Sequence, residues 1–181
     1  YEILRSELKN SYQFSSNSDT EVVLAAYLIW GESCLDKFIG MFSFLIWDTL
    51  SETGFAARDP LGVKPFVFYA SNTEFVFASE IKAIVACLDH RLRINKNSLA
   101  EYVVAPMLSG VEDAILEGIS FLGAGEKLLI NKDGIRRSSY SNFSIVPGSN
   151  SLEENIRLLN FELEESTRLS LKADFPVGSF F

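Results

Sequence analysis

The stretch GMFSFLIWDTLSETGFAARDPLGVKPFVFYASNTEFVFAS, residues 40–79, predicts four consecutive β-strands. Apolar residues dominate four short runs, and polar turn residues separate one run from the next. The first run, MFSFLIWD, lacks strict alternation of apolar and polar residues, which is typical of a strand buried on both faces. The next three strands are predicted from the runs GFAARD, PFVFYA and EFVFAS.

Helical patterns precede these strands. Residues 1–9 form an amphipathic pattern that is typical of a helix. Ser18 followed by Glu21 is a capping-box signature, and it predicts a new helix with Asp19 in its first turn. A second short helix is predicted from Glu32 to Phe38.

Further helices and strands are predicted after residue 79. Ser79 is expected to cap a helix that ends near Cys87, and another short helix is expected from Asn97 to Val104. The pair Asp133-Gly134 is a hairpin signal. The last strands of this region are predicted in GISFL, EKLLIN and GIRRSSY.

The sequence predicts two domains. A polar, turn-rich segment indicates a linker over residues 146–151, between a first domain at 1–145 and the start of a second at 152–181. The second begins with an amphipathic helix to about Lys172 and then a strand at VGSFF, an order typical of α/β domains. Both chain ends fall inside predicted elements, so we expect an internal piece of a longer protein.

Composition excludes several classes of function. The net charge of −8 disfavours binding to nucleic acid, and no apolar run approaches the length of about eighteen residues that a membrane span needs. No His, Cys or Asp cluster has metal-ligand spacing, and His90 has no nucleophilic partner in the pattern. Cys34 and Cys87 are interpreted as buried structural residues in a reducing cytoplasm.

Charged residues also occur in the turn ARDPLGVKP, residues 57–65. This turn has a single glycine, whereas a phosphate-binding P-loop needs several glycines and a GK[ST] ending. We therefore expect Arg58 and Asp59 to fix a tight turn by hydrogen bonds, with Pro65 stiffening the entry to the next strand.

Four segments carry a resemblance to a known family: NSDTEVVLAAY (17–27), GMFSFLIWD (40–48), ARDPLGVKPFVFY (57–69) and FASEIKAI (77–84). They resemble the glutaminase domain of class II amidotransferases. The tail LEESTRLSLKADFPVGSFF (163–181) resembles the opening of the synthetase domain of asparagine synthetases. The implied fold is α+β, a truncated four-layer αββα N-terminal-nucleophile hydrolase, followed by the first helix and strand of an α/β ATP-pyrophosphatase-type domain.

The resemblance implies roles for individual residues. Asp19 would bind the α-ammonium group of glutamine; the alternative is that it only favours a helix N-terminus. Met41 and Val63 would line an apolar passage for ammonia, and the alternative is that both are β-core residues. Phe180 would lie near the adenine of ATP. The family's nucleophilic cysteine would lie upstream of Tyr1, so no catalytic residue is assigned and this piece is expected to be inactive.

The implied reaction uses glutamine, aspartate and ATP with Mg²⁺, and it yields asparagine, AMP and pyrophosphate. Two alternatives stay open: an acceptor that is a sugar-acid or peptide carboxylate, and a non-catalytic remnant. The family's Pro-Pro-Gly-His-like turn is replaced here by Gly-Ala-Gly-Glu at 123–126, which leaves the acceptor undecided. A homodimer is among the assemblies that the resemblance allows.

Overall fold

The computed structural model describes residues 1–104, 114–141, 148–171 and 178. The chain divides into two compact units, Tyr1–Asn142 and Phe143–Phe181. The linker predicted over 146–151 lies partly outside the described residues, and the domain boundaries stay a prediction.

The first unit contains four α-helices, one 3₁₀-helix and seven strands within its described residues. In chain order these are α1 (Glu2–Leu8), α2 (Asp19–Trp30), the 3₁₀-helix (Gly31–Lys37), β1 (Ser43–Asp48), β2 (Thr53–Arg58), β3 (Val67–Ala70), β4 (Phe75–Ala78), α3 (Ile81–Cys87), α4 (Lys96–Val104), β5 (Ile119–Phe121), β6 (Glu126–Asn131) and β7 (Gly134–Ser139).

The strands form two antiparallel sheets. The first has the order β1-β2-β6-β7, and the second has the order β4-β3-β5. Ser43 pairs with Arg58 at one end of the β1–β2 ladder, and Asn131 pairs with Gly134 where β6 turns into β7. The hairpin predicted at Asp133-Gly134 is therefore confirmed.

Three hydrophobic clusters join these sheets to the helices. The first packs α2 against one face of β2, where Phe55 and Ala57 point. The second lies between the two sheets, with Ala56 from β2 facing Phe66 and Phe68. The third packs α3 against the far face of the second sheet through Ile84. The layers are therefore helix, sheet, sheet and helix, as the family resemblance implied.

The strand buried on both faces is β2 rather than β1. Alternate residues of β2 enter two different clusters, and four of its six positions are buried. The strand β1 lies at the edge of its sheet; Trp47 near its end is half exposed. The prediction that MFSFLIWD is a strand buried on both faces was wrong, because large apolar side chains at a sheet edge resemble a buried strand in sequence.

Two predicted capping interactions differ from the structure, the Ser79 cap of α3 and the capping box of Ser18 with Glu21. The N-cap of α3 is Glu80, which makes no side-chain cap, so Ser79 does not cap this helix. Ser18 is the N-cap of α2 and accepts from the N–H of Thr20, as predicted. Glu21, however, binds Ser15 and Ser16 instead of completing the capping box.

The described part of the second unit is mainly the helix α5 (Leu152–Ser170). Ser151 caps it by accepting from the N–H of Glu154 at 3.2 Å. The strand predicted at VGSFF falls on residues that, apart from Gly178, lie outside the described part of the chain. Within that part, no helix combines the length and the apolar character needed to cross a membrane.

Candidate functional site

Asp19 is the first residue of α2, and its side chain is exposed. Its Oδ1 accepts two long hydrogen bonds from its sequence neighbours, the hydroxyls of Ser18 at 3.5 Å and Thr20 at 3.4 Å. The carboxylate is therefore accessible to a ligand. A negative charge at this position also stabilises the N-terminus of α2. The geometry therefore fits both roles considered for Asp19, ligand binding and stabilisation of the helix.

The segment that leads into Asp19 is tied to α2 through Glu21. Its Oε1 accepts from the N–H and hydroxyl of Ser15 at 2.8 and 2.9 Å, and its Oε2 accepts from the N–H and hydroxyl of Ser16 at 2.7 and 2.6 Å. The hydroxyl of Ser16 and then the N–H of Ser15 lower the pKa of Glu21 to about 2. Sequence reasoning placed Glu21 only in a capping box and missed these contacts.

Met41 and Val63 both lie outside the strands. Their side chains are 53% and 51% exposed, so the alternative that they are β-core residues is contradicted. Asp59 contacts both neighbourhoods, because its N–H donates to the carbonyl of Phe42 at 2.8 Å while its Oδ1 accepts from the N–H of Val63 at 3.0 Å. The hydroxyl of Ser43 also donates to the carbonyl of Pro65 at 2.9 Å. The two segments that carry the predicted passage residues are thus joined directly.

Asp59 is a buried carboxylate that organises this turn. Besides Val63, it accepts from the N–H groups of Leu61 at 3.2 Å and Lys64 at 2.9 Å. Burial alone would raise the pKa of Asp59, but the hydrogen bonds from Lys64, Val63 and Leu61 outweigh that effect and lower it. The carboxylate is therefore held ionised by the loop that it folds.

Arg58 fixes the same turn from its other side. Its guanidinium donates to three backbone carbonyls, those of Lys64 at 2.7 Å, Leu122 at 2.6 Å and Gly62 at 2.6 Å. The hydroxyl of Tyr140 donates to the carbonyl of Arg58 at 2.7 Å. The prediction that Arg58 and Asp59 fix a tight turn by hydrogen bonds is confirmed.

The divergent Gly-Ala-Gly-Glu turn packs against this loop. Glu126 Oε2 accepts from the N–H of Gly123 and from Arg137 Nε, both at 2.6 Å. Gly125 has a φ of +65°, and its N–H donates to the carbonyl of Asp59 at 2.9 Å. A glycine is needed at that position because other residues rarely adopt a positive φ.

The two cysteines differ in environment. Cys34 is fully buried, and burial raises its pKa to about 12, so its thiol stays protonated and unreactive. Cys87 is exposed, so the interpretation that both are buried structural residues is wrong for Cys87. His90 lies beside Tyr69, with the hydroxyl oxygen 3.3 Å from its Nε2.

No group of three or more His, Cys, Asp or Glu residues suited to a metal ion occurs within 1–104, 114–141 and 148–171. Phe180, the predicted neighbour of adenine, lies outside the described residues. Its assignment stays a prediction.

Comparison with known proteins decides the family. The family model described as a glutamine amidotransferase domain matches the sequence over residues 1–141. This range includes α1, both sheets and every contact described around Asp19 and Asp59. The chain belongs to the glutamine amidotransferase domain family. The expected resemblance is thereby confirmed for the first unit.

Curated relatives of this amidotransferase are named asparagine synthetases. Asparagine synthetase [glutamine-hydrolyzing] 3 of Bacillus subtilis is 34% identical over 99% of the chain and 29% of its own length. Asparagine synthetase [glutamine-hydrolyzing] 1 of the same organism is 31% identical over 98% of the chain and 28% of its own length. The chain thus spans less than a third of these relatives.

A solved structure supports the fold of the amidotransferase. The structure described as the allosteric regulatory enzyme of purine biosynthesis is 24% identical, with a TM-score of 0.50 over 77% of this chain and 26% of that chain. Together with the four layers, this likeness confirms the α+β fold of class II glutaminases, the N-terminal-nucleophile hydrolase fold.

Proposed function

We propose that this chain is the glutamine-handling portion of a glutamine-dependent asparagine synthetase. The observation that carries the proposal is the alignment of almost the whole chain with relatives named glutamine-hydrolysing asparagine synthetases. In the proposed reaction, glutamine and water give glutamate and ammonia, and the ammonia then attacks an activated carboxyl group.

Asp19 is the proposed partner of the glutamine α-ammonium group. Its carboxylate is exposed at the start of α2 and is not engaged by a cationic side chain among its described hydrogen bonds. A charge-assisted hydrogen bond to an ammonium group contributes about 1.5–3 kcal/mol. That contribution exceeds the roughly 0.3–1 kcal/mol available from the helix N-terminus alone.

Met41 and Val63 are the proposed wall of an ammonia passage. Both present uncharged side chains to the surface of this chain, and Asp59 joins the backbone of Val63 to that of Phe42, the residue next to Met41. An uncharged lining suits neutral ammonia, because a charged wall would hold ammonium or attract water.

The proposed acceptor is aspartate, activated as an acyl-adenylate with ATP and Mg²⁺ in the complete protein. No described residue of this chain is assigned to the nucleotide or the metal. The names of the relatives favour aspartate over a sugar-acid or peptide carboxylate. A cytoplasmic location and a homodimer are proposed on the same family resemblance.

We also propose that residues 1–181 alone do not hydrolyse glutamine. Cys34 is buried with a raised pKa, and the single His90 contacts Tyr69 rather than a thiol in the structure. A nucleophile with a base beside it is required for covalent catalysis, and neither cysteine has that arrangement among the described residues.

The test uses the complete product of the gene that encodes this chain. It is incubated with glutamine, aspartate, ATP and MgCl₂, and glutamate, asparagine and AMP are measured. Equal formation of glutamate and asparagine supports the proposal. If glutamate forms without asparagine and another carboxylate is amidated, that carboxylate is the acceptor instead of aspartate. Absence of glutamate formation would refute a glutaminase function.

A further inference from the structure

Glu21 occupies the third helical position of α2 but does not make the contact typical of that position. In a capping box, its carboxylate would accept from the N–H of the N-cap residue, Ser18. It accepts instead from the N–H and hydroxyl groups of Ser15 and Ser16, and through a longer contact of 3.5 Å from the hydroxyl of Tyr12. Glu21 therefore holds the segment before the helix rather than the cap itself.

Ser16 makes hydrogen bonds with Glu21, Ser18 and Arg5. Its hydroxyl donates to Glu21 and accepts from the N–H of Ser18 at 3.2 Å. Its carbonyl accepts from Nη2 of Arg5 at 2.5 Å, so α1 also contributes. The oxygen of Ser18 in turn accepts from the N–H of Thr20. A continuous chain of hydrogen bonds thus connects Glu21 with the residues on either side of Asp19.

Asp19 has no comparable anchor of its own. The hydrogen bonds described for its carboxylate come from Ser18 and Thr20, which are adjacent in sequence, and both exceed 3.3 Å. Contacts of that length are weak. The position of the Asp19 carboxylate therefore depends on the backbone at the start of α2, which Glu21 and Ser16 fix.

We infer that Glu21 is a positioning residue for glutamine binding: by holding Ser15 and Ser16 against the first turn of α2, it sets the position of the Asp19 carboxylate. Glu21 itself does not contact the substrate in this assignment. The inference rests on the proposed function, because it concerns the α-ammonium group that Asp19 would bind. Glu21 is ionised at neutral pH, and its hydrogen bonds lower its pKa further, so Glu21→Gln removes the charge while retaining the size of the side chain.

The first measurement is amide hydrogen exchange on residues 1–181 and does not require activity. Glu21→Gln is expected to accelerate exchange at Ser15 and Ser16 by about tenfold, because bonds to a carboxylate are about twice as strong as bonds to an amide. Glu21→Asp keeps the charge and should recover part of the protection. Glu7→Gln, which removes the surface ion pair with Lys37, is the matched control and should leave both amides unchanged. Unchanged exchange in Glu21→Gln would overturn the inference.

The second measurement uses the complete gene product and separates glutamine from ammonia as nitrogen source. Glu21→Gln should raise the KM for glutamine by about 5- to 20-fold with little change in kcat, since a misplaced carboxylate weakens binding. Synthesis from ammonia should not change, and Glu21→Asp should restore part of the KM. A normal KM despite faster exchange, or equal losses with glutamine and ammonia, would overturn the positioning role. Absence of glutaminase activity in the unmutated protein would instead refute the proposed function, and the assigned role with it.

Discussion

The carboxylate of Asp59 binds the backbone N–H of Val63 at 3.0 Å, so a buried charge directly fixes a residue of the proposed ammonia passage. Two further N–H groups of the same loop reach this carboxylate. The loop conformation at Val63 thus depends on the Asp59 side chain, whose carboxylate accepts hydrogen bonds from the N–H groups of the same loop.

Asp59→Asn should destabilise the first unit by about 1–3 kcal/mol, because the amide nitrogen cannot accept a hydrogen bond and leaves part-buried N–H groups of the loop unpaired. Urea unfolding followed by circular dichroism measures this change. Asp133→Asn, in the exposed β6–β7 turn, is the control and should alter stability by less than about 0.5 kcal/mol. Equal midpoints for the two variants would contradict the structural role of Asp59.

Acid should unfold the protein partly through Glu21 and Asp59. The pKa of Glu21 falls from 4.5 to about 2 on folding, and that of Asp59 falls below 3.8. In this range the unfolded state binds more protons than the folded state, so stability is complete above about pH 4.5 and falls as the pH drops toward 2. Stability measured from pH 6 to pH 2 should decline less steeply in Glu21→Gln than in the unmutated chain. Identical slopes would show that Glu21 titrates normally.

Asp19→Ala in the complete gene product should raise the KM for glutamine by about 10- to 150-fold, corresponding to the loss of one charge-assisted hydrogen bond. Synthesis from added ammonia should be nearly unaffected. Asp19→Asn, which preserves side-chain size, should show a similar increase. A comparable loss in both assays would indicate that Asp19 supports only the helix.

Met41→Lys should separate glutamine hydrolysis from product formation. A cation in the proposed passage would repel ammonium and carry a desolvation cost of several kcal/mol. Since Met41 is half exposed in this chain, the substitution should leave the stability of residues 1–181 nearly unchanged. Leu50→Lys, at an exposed turn, is the matched control. An unchanged ratio of product to glutamate in Met41→Lys would refute the passage.

Alkylation with iodoacetamide at pH 8 should modify Cys87 and spare Cys34 in the folded chain. Only the thiolate reacts, and burial raises the pKa of Cys34 to about 12. Mass spectrometry should find one adduct per chain and none in Cys87→Ser. Modification of Cys34 under native conditions would show that its site opens to solvent.

The four layers of the first unit were expected from the family resemblance, whereas the Arg58–Asp59 turn was predicted from the residues themselves, because turn residues report local structure directly. The sequence did not predict that β2, rather than β1, is buried on both faces, since strand order depends on contacts between distant residues. The network of Glu21 was also missed. A glutamate in the third helical position can accept from the N–H of the N-cap, here Ser18, or from N–H groups of the preceding segment, here Ser15 and Ser16. Which of these it binds depends on the backbone path of residues 15–18.

The described hydrogen bonds of the Arg58 guanidinium all go to main-chain carbonyls, those of Gly62 and Lys64 in its own turn and that of Leu122 after β5. Such a contact is indifferent to the side chains at Lys64 and Leu122. Gly62 is the exception, because its φ is +65° and an added Cβ would lie 3.2 Å from the guanidinium carbon. A different side chain at Lys64 would therefore leave the contact with Arg58 intact, whereas any side chain at Gly62 would require the guanidinium to move.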